Sequence, residues 1–440
     1  MFDIFFKRSN KTRVEKDDPM ISFGRYSDNN KPLQKVEKWT EADVLFKEKK
    51  FHESIAAFFQ YLNDEEVENV KHEKTSGGGK FEICQGSKII SGFFNDEVLQ
   101  AEVALAIMPQ PSVPVMRRLL EMNFHLYYTH YAIKEDKLFM LMTSEIETAN
   151  PSKLYYGLKE LSTKADKHDD QLIQDFTSLL PTGIEHIEEL DEAEREVKFK
   201  YFQKWIQEAL DVIEKVDADK FSGGIAYLLL ALAYRIDYLI APHGRLLTAT
   251  EKIVSVYFRK EERSVTEKNA EMVECLLKLS SGTKEEFFLC LFRSKYTFSI
   301  VNPQNHKTIS DAIYNANQSI SWYKENKQPV IAAQIGEYGL SYCQYSYSLP
   351  KPVAELYQLF MMISYPDFFK ELGFSKEYYN AETKEYNPPE IIEKIKKIEE
   401  AWKEKYPALS FKTEKLRFDN RVSFNQSFAT EIEYLNLDTK

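Results

Sequence analysis

The sequence predicts an α+β domain followed by a larger all-helical domain, and three observations carry that division. Between about residues 37 and 180, helical runs are interrupted by stretches that alternate apolar and polar side chains, the period of a strand with one buried face. Beyond residue 185 the alternation stops and apolar residues recur every three to four positions, the period of an amphipathic helix. At the junction stands Leu180-Pro181-Thr182-Gly183, a run of turn formers leading into an acidic stretch from Glu185 to Glu196. The organisation expected is a flexible leader over 1–36, an α+β domain over 37–180, an all-helical domain over 185–408 and an irregular tail over 409–440. Within the first domain the expected order is α-β-β-β-α-β-β-α, an antiparallel sheet with helices.

Residues 1–36 are polar, aperiodic and rich in turn formers. Their basic cluster (Lys7, Arg8, Lys11, Arg13, Lys16) reads as a solvated tail. From Val36 to Asn63 the pattern turns helical and gives two short antiparallel helices, with Leu45, Phe46, Phe51, Ile55, Ala56, Phe59 and Leu62 as the apolar stripe. The pair is similar to one tetratricopeptide unit, but no second copy follows at that repeat's period. Next come a flexible turn at Thr75–Gly79 and a strand over Lys80–Cys84. A turn or bulge at Gln85-Gly86-Ser87, where glycine tolerates the backbone angles, leads to a strand over Lys88–Phe94, and a third strand covers Val98–Met108. Val113–Asn123 reads as a helix, and Tyr127–Ile133 with Lys137–Thr143 as a hairpin around Glu135-Asp136. Asn150-Pro151 starts the closing helix: Asn caps free amides and Pro occupies a first-turn position that needs no donor.

This order of elements resembles the type III secretion chaperone-like fold, which includes the YbjN and CesT families. Local text carries the same resemblance: QGSKIISG from Gln85, RRLLEMN over Arg117–Asn123, the YAIKEDKLFM hairpin from Tyr131 and ADKHDDQL from Ala165 in the closing helix. It covers residues ~40–176, about a third of the chain. The resemblance implies protein binding, often as a homodimer, with no catalytic residues. Members of that family are usually small single-domain proteins, whereas here a long helical extension follows, so the implication is a protein partner rather than secretion.

In the second domain Phe202, Trp205, Ile206, Leu210 and Ile213 fall at helical spacing. Ser264–Glu267 and Thr283–Glu286 fit capping boxes, in which side chains satisfy the free amides of a helix start. Asn387-Pro388-Pro389-Glu390 opens a helix with Ile391, Ile392, Ile395, Ile398 and Trp402 on one face. The most apolar stretch, Gly223–Ala241, is interrupted by Arg235 and Asp237, and a membrane span needs about 20 apolar residues. It reads as a buried core helix. The last residues lose periodicity, with a short strand or surface loop over Phe411–Arg421.

Composition bounds the function. Hydrophobic content of 43% with 29% charged residues is that of a globular chain able to bury a large core. A net charge of -11 disfavours broad binding to nucleic acid or anionic membrane. The N-terminal apolar run is short and its basic residues follow it, the reverse of a secretory signal. Cys84, Cys275, Cys290 and Cys343 have no metal-ligand spacing and read as reduced thiols, which with the missing signal points to the cytoplasm.

Motifs for catalysis are weak. Gly77-Gly78-Gly79-Lys80 is followed by a strand, not by the Ser/Thr and helix of a phosphate loop, and reads as a hairpin turn. Asp166, His168, Asp169 and Asp170 carry metal-ligand chemistry, but their spacing spreads them around a helix and a solvated surface is expected. No cofactor or metal site is expected. Arg235 and Asp237, flanked by Tyr234 and Tyr238, call for ion-pair partners or a polar spot in a cleft, and Pro242-His243-Gly244-Arg245 is a loop able to line it. Tyr338, Tyr342 and Tyr345 share a helical face, suited to interhelical packing or to a peptide groove. The expected function is therefore a non-enzymatic, chaperone-like protein that binds another polypeptide, with Tyr234, Arg235, Asp237, Tyr338, Tyr342 and Tyr345 as partner-binding residues. The alternatives are an adaptor subunit of a larger assembly, and an enzyme whose site is a deep pocket built from scattered residues.

Overall fold

A computed structural model describes residues 18–28, 31–65, 67–183 and 187–439. The basic cluster from Lys7 to Lys16 lies outside the described residues. The N-terminal unit contains α1 (Leu33–Lys47), α2 (Phe51–Leu62), β1 (Val70–Thr75), β2 (Gly78–Gln85), β3 (Lys88–Phe94), β4 (Val98–Ile107), α3 (Val113–Asn123), β5 (Thr129–Lys134), β6 (Lys137–Glu145), α4 (Pro151–Asp175) and β7 (Leu180–Pro181). The sheet is antiparallel in the order β1-β2-β3-β4-β6-β5, with β7 pairing β4 off that path.

Alternation decides which sheet face is covered. Phe81, Ile83, Ile90, Leu99, Val103, Met140 and Met142 are buried against Leu154, Leu158, Leu161 and Ala165 of α4. The opposite face leaves Ile89, Phe93, Phe139 and Leu141 partly open to solvent, as antiparallel sheets allow. The β5 edge is blunted by side chains: Glu160 accepts the Thr129 amide at 3.1 Å and Asn123 accepts the Tyr131 amide at 2.8 Å. Those groups would otherwise template a further strand.

The expected three strands before α3 are in fact four. β1 was silent because its sequence, VKHEKT, is an edge strand with Val70 as its one fully buried residue. The expected leader also changes: Phe23 packs against Phe369 with ring centroids 5.2 Å apart, Gly24 donates its amide to the Tyr238 carbonyl at 2.8 Å, and helix begins at Leu33.

The second unit is helical, with short strand pairs. It comprises β8 (Glu188–Glu189), α5 (Glu192–Ile213), α6 (Ser222–Arg235), α7 (Gly244–Phe258), α8 (Val265–Ser280), α9 (Lys284–Phe288), β9 (Phe292–Arg293), α10 (His306–Asn317), α11 (Ile320–Glu325) and α12 (Pro329–Ser346). Then follow α13 (Lys351–Ser364), α14 (Pro366–Glu371), β10 (Tyr379–Asn380), β11 (Glu385–Tyr386), α15 (Pro388–Trp402) and α16 (Arg421–Glu433). Both capping boxes form, at Ser264 and Thr283. Central α6 is buried nearly all round. By length and composition Ser222–Ile240 passes as a membrane span, but 89% of its most apolar window is buried inside the protein.

The expected irregular tail is instead α16, with Phe424, Phe428 and Ile432 fully buried. Asn420 caps it through the Ser423 amide at 3.0 Å, and Asn425 donates to the Ala333 carbonyl at 3.0 Å. The helix is surrounded, burying Ser423, Asn425, Ser427 and Glu431 as well as its apolar residues, so no apolar stripe marks it in the sequence.

The two units interlock. The segment after β9 crosses into the N-terminal unit, where Phe298 is fully buried in the sheet–helix core. Gln85 accepts the Phe298 amide at 3.0 Å and donates to the Phe298 carbonyl at 3.1 Å, while Thr297 donates its hydroxyl to the Cys84 carbonyl at 2.9 Å.

Candidate functional site

The site grows out of the far end of α4. Asn150 caps this 25-residue helix through the Lys153 amide at 2.9 Å. The helix is long enough to carry its last turns to the second unit. The β2–β3 turn meets it there. Gly86 has φ +55, and a Cβ on it would stand 2.0 Å from Asp166 Oδ1, so glycine is required twice over. The adjacent Ser87 donates its amide to Asp166 Oδ1 at 2.7 Å and its hydroxyl to Asp169 Oδ2 at 3.0 Å. Lys88, buried, pairs with Asp169 at 2.8 Å and donates to the Thr182 carbonyl at 2.8 Å. His168 points elsewhere, sharing a short hydrogen bond with the Tyr131 hydroxyl.

From the helical unit, α6 runs into a π-helical turn, Ile236–Ile240, closed by Ala241 at φ +50. Such turns re-aim side chains. This one brings Asp237 to Arg25, which binds it through Nε (3.0 Å) and Nη2 (2.8 Å) and also reaches Glu251 at 3.1 Å. The Ala241–Gly244 elbow then starts α7. Gly244, at φ +56, lies so close to α4 that a Cβ would stand 3.0 Å from Asp170 Oδ2.

A third wall is aromatic. The His243 ring stacks on Phe292 at 4.0 Å between centroids and lies parallel to Tyr296 at 6.3 Å, and Tyr296 stacks on Tyr26 at 6.1 Å. His243 Nδ1 is 3.1 Å from the Tyr296 hydroxyl, and the ring also hydrogen-bonds the Phe292 backbone.

These walls enclose a cavity of about 510 Å³ between the units. Its electrostatics are strongly perturbed. Burial, with Asp169 and Asp170 adding to it against the Ser87 hydrogen bonds, pushes Asp166 up to about 7. Burial and then Asp169, opposed by Lys88, push Asp170 up to about 7. Burial and then Lys198 pull His243 down to about 4. Lys198 is lowered by burial despite Glu194 at 3.1 Å. Arg25, beside Asp237 and Glu251, is held firmly protonated.

The structure distributes the six residues expected at a partner surface. Asp237 lines the cavity. Arg235 is buried behind it, donating to Glu337 at 2.9 Å and Gln334 at 2.8 Å beneath Tyr365. Tyr234 is buried among Tyr338 (6.0 Å), Tyr342 (6.3 Å) and Tyr345 (4.8 Å), which join α6 to α12; Tyr345 also receives the Arg25 guanidinium at 4.1 Å. His243 and Gly244, expected in a cleft-lining loop, do line the cavity. The solvated surface expected for Asp166, Asp169 and Asp170 is not found: the second unit covers it. The spread around the helix expected for these acids is not found either: at i, i+3 and i+4 they gather on one face, Ser87 bridging Asp166 and Asp169, and His168 alone points away. Gly78 and Gly79 open β2, with Thr75 opposite Gly78 in the hairpin.

Residues that sequence reasoning missed are Arg25, Tyr26, Lys198, Glu251, Phe292 and Tyr296. They come from four separate segments, and each is ordinary in its local context. The one legible signal was Gly86-Ser87, a turn facing an acidic helix. No protein-family model matches the chain, and a search of the curated proteins finds no match.

Proposed function

We propose that the protein is a non-catalytic binding protein that holds a small ligand between its two units. The observation that carries this is the cavity itself. Its volume falls in the range of about 300–1,000 Å³ usual for small-molecule sites, and it sits at a domain interface with a few convergent polar groups on partly apolar walls. Perturbed carboxyls in a cleft add to that reading. His243, its Nδ1 hydrogen-bonded to the Tyr296 hydroxyl and its ring to the Phe292 backbone, reads as part of the binding wall. The test is a thermal-unfolding screen of the full chain against charged and uncharged metabolites, repeated with Thr248→Trp, which fills the α7 wall. A ligand at about 100 times its Kd stabilises by about 2.7 kcal/mol. A compound that raises the melting temperature of the natural chain but not of Thr248→Trp supports the site. No such compound, across the screen, overturns it.

A second reading has its own observation. Around the α3–β5 turn, Phe124 is 88% and Tyr127 91% exposed, beside exposed Leu120 and Tyr156. Exposed apolar clusters mark interaction surfaces, and the secretion-chaperone-like resemblance of residues ~40–176 favours a polypeptide partner there. The check is affinity purification from the native host with Phe124→Asp/Tyr127→Asp as control: a stoichiometric partner lost only in the variant supports it, and identical profiles count against it.

A further inference from the structure

The charges around the cavity are unevenly met. Arg25, Lys167, Lys198 and Arg293 each hold a carboxylate partner at 2.8–3.1 Å. Two acids on the α4 wall are less fully met. Asp166 spends one carboxylate oxygen on Ser87, and Asp170 has no hydrogen-bond or ion-pair partner to its carboxylate among the described residues. Lys88, the cation that lowers Asp170, is engaged by Asp169 and the Thr182 carbonyl, while Lys164, also on α4 and lining the cavity, holds no carboxylate partner among the described residues. The two acids lie four residues apart, so they share one face of the helix. The stack of Phe292, His243 and Tyr296 lines the same cavity, and burial lowers the His243 imidazole, which favours its uncharged form. A carboxylate pair beside an apolar wall is the chemistry that recognises an organic ammonium group: the carboxylates supply charge and hydrogen-bond acceptors, and the rings, stacked on one another, supply apolar surface for a carbon chain.

We infer that the cavity takes an organic amine, its ammonium group seated between Asp166 and Asp170 and its carbon chain along the rings of Phe292, His243 and Tyr296. The assignment rests on the cavity being a ligand site at all. It also gives the acids a reason to be buried, since burial holds both near neutrality where an arriving cation restores their charge.

The experiment is calorimetric titration of the full chain with three probes of one carbon-chain length: 1,4-diaminobutane, 1,4-butanediol and succinate. The diamine is expected to bind, with the diol and succinate at least about tenfold weaker, a difference of about 1.4 kcal/mol. Asp170→Asn, which breaks no hydrogen bond and so is expected to fold, lowers diamine affinity about tenfold or more. Thr248→Trp abolishes it. Absence of diamine binding, or diamine binding indifferent to Asp170→Asn, overturns the assignment. Succinate or diol binding that Thr248→Trp removes overturns the ligand class while leaving the cavity as a site. Diamine binding that Thr248→Trp leaves intact overturns both.

Discussion

Two helical faces of this molecule invite comparison: the tyrosines of α12 and the acids of α4. Each is visible in the sequence as a set of side chains on one helix, and each meets the environment opposite to the one its chemistry suggests. The tyrosines, with polar tips suited to a wet groove, pack against Tyr234 and pin α12 to α6. The acids, which belong in water, are covered by the elbow before α7 and the strap after β9. Helical spacing states which residues share a face. What that face meets is set by chain that arrives from far away in sequence.

The comparison can be broken in graded steps. The largest effect is expected at Arg235→Ala, behind the tyrosines, which strands Glu337 as an uncompensated buried charge and costs about 3–5 kcal/mol in denaturant unfolding. Phe298→Ala removes the side chain that anchors the strap in the N-terminal core. Here about 3–5 kcal/mol is expected too, with the added consequence that proteolysis near residue 298 accelerates as the units part. Asp170→Asn acts the other way, raising the melting temperature by a few degrees at about pH 8, because it deletes a buried carboxylate that lacks a partner. Tyr342→Phe is the smallest. That hydroxyl is 3.5 Å from the Tyr347 hydroxyl and half-exposed, so a change within about 0.5 kcal/mol is expected.

The acidic face also carries a pH signature. Asp166 and Asp170 sit at about 7 in the folded chain, above the unfolded value of about 3.9. The folded state therefore holds more protons in between, and the stability these groups contribute in acid is lost as pH rises from about 4 to about 7. His243, lowered to about 4, works oppositely: its contribution is present above about 6.5 and lost as pH falls towards 4. The gain from Asp170→Asn should accordingly be near zero at about pH 4, grow to about pH 7 and then level off. A gain that does not vary with pH would show that the carboxyl titrates normally.

Much of the fold was legible where local chemistry fixes it. The Asn150 cap, both capping boxes and the β5–β6 hairpin, with Glu135 at φ +58, stand where the residues indicate. The coarse division into an antiparallel sheet with helices and a large helical region follows from the change of period. Elements without an apolar period were invisible: β1 because an edge strand has little to bury, α16 because it is surrounded. The cavity was the least legible feature. Its walls meet only when Phe298 enters the N-terminal core and Arg25 reaches Asp237, and neither pairing leaves a trace in local sequence.

The most direct test of the account is hydrogen–deuterium exchange of the full chain with and without 1,4-diaminobutane. Protection should appear together in three segments distant in sequence: residues 163–170 of α4, the 241–248 elbow and first turns of α7, and the 292–300 strap. Unchanged exchange in all three, or protection confined to the α3–β5 turn around Phe124 and Tyr127, would contradict it.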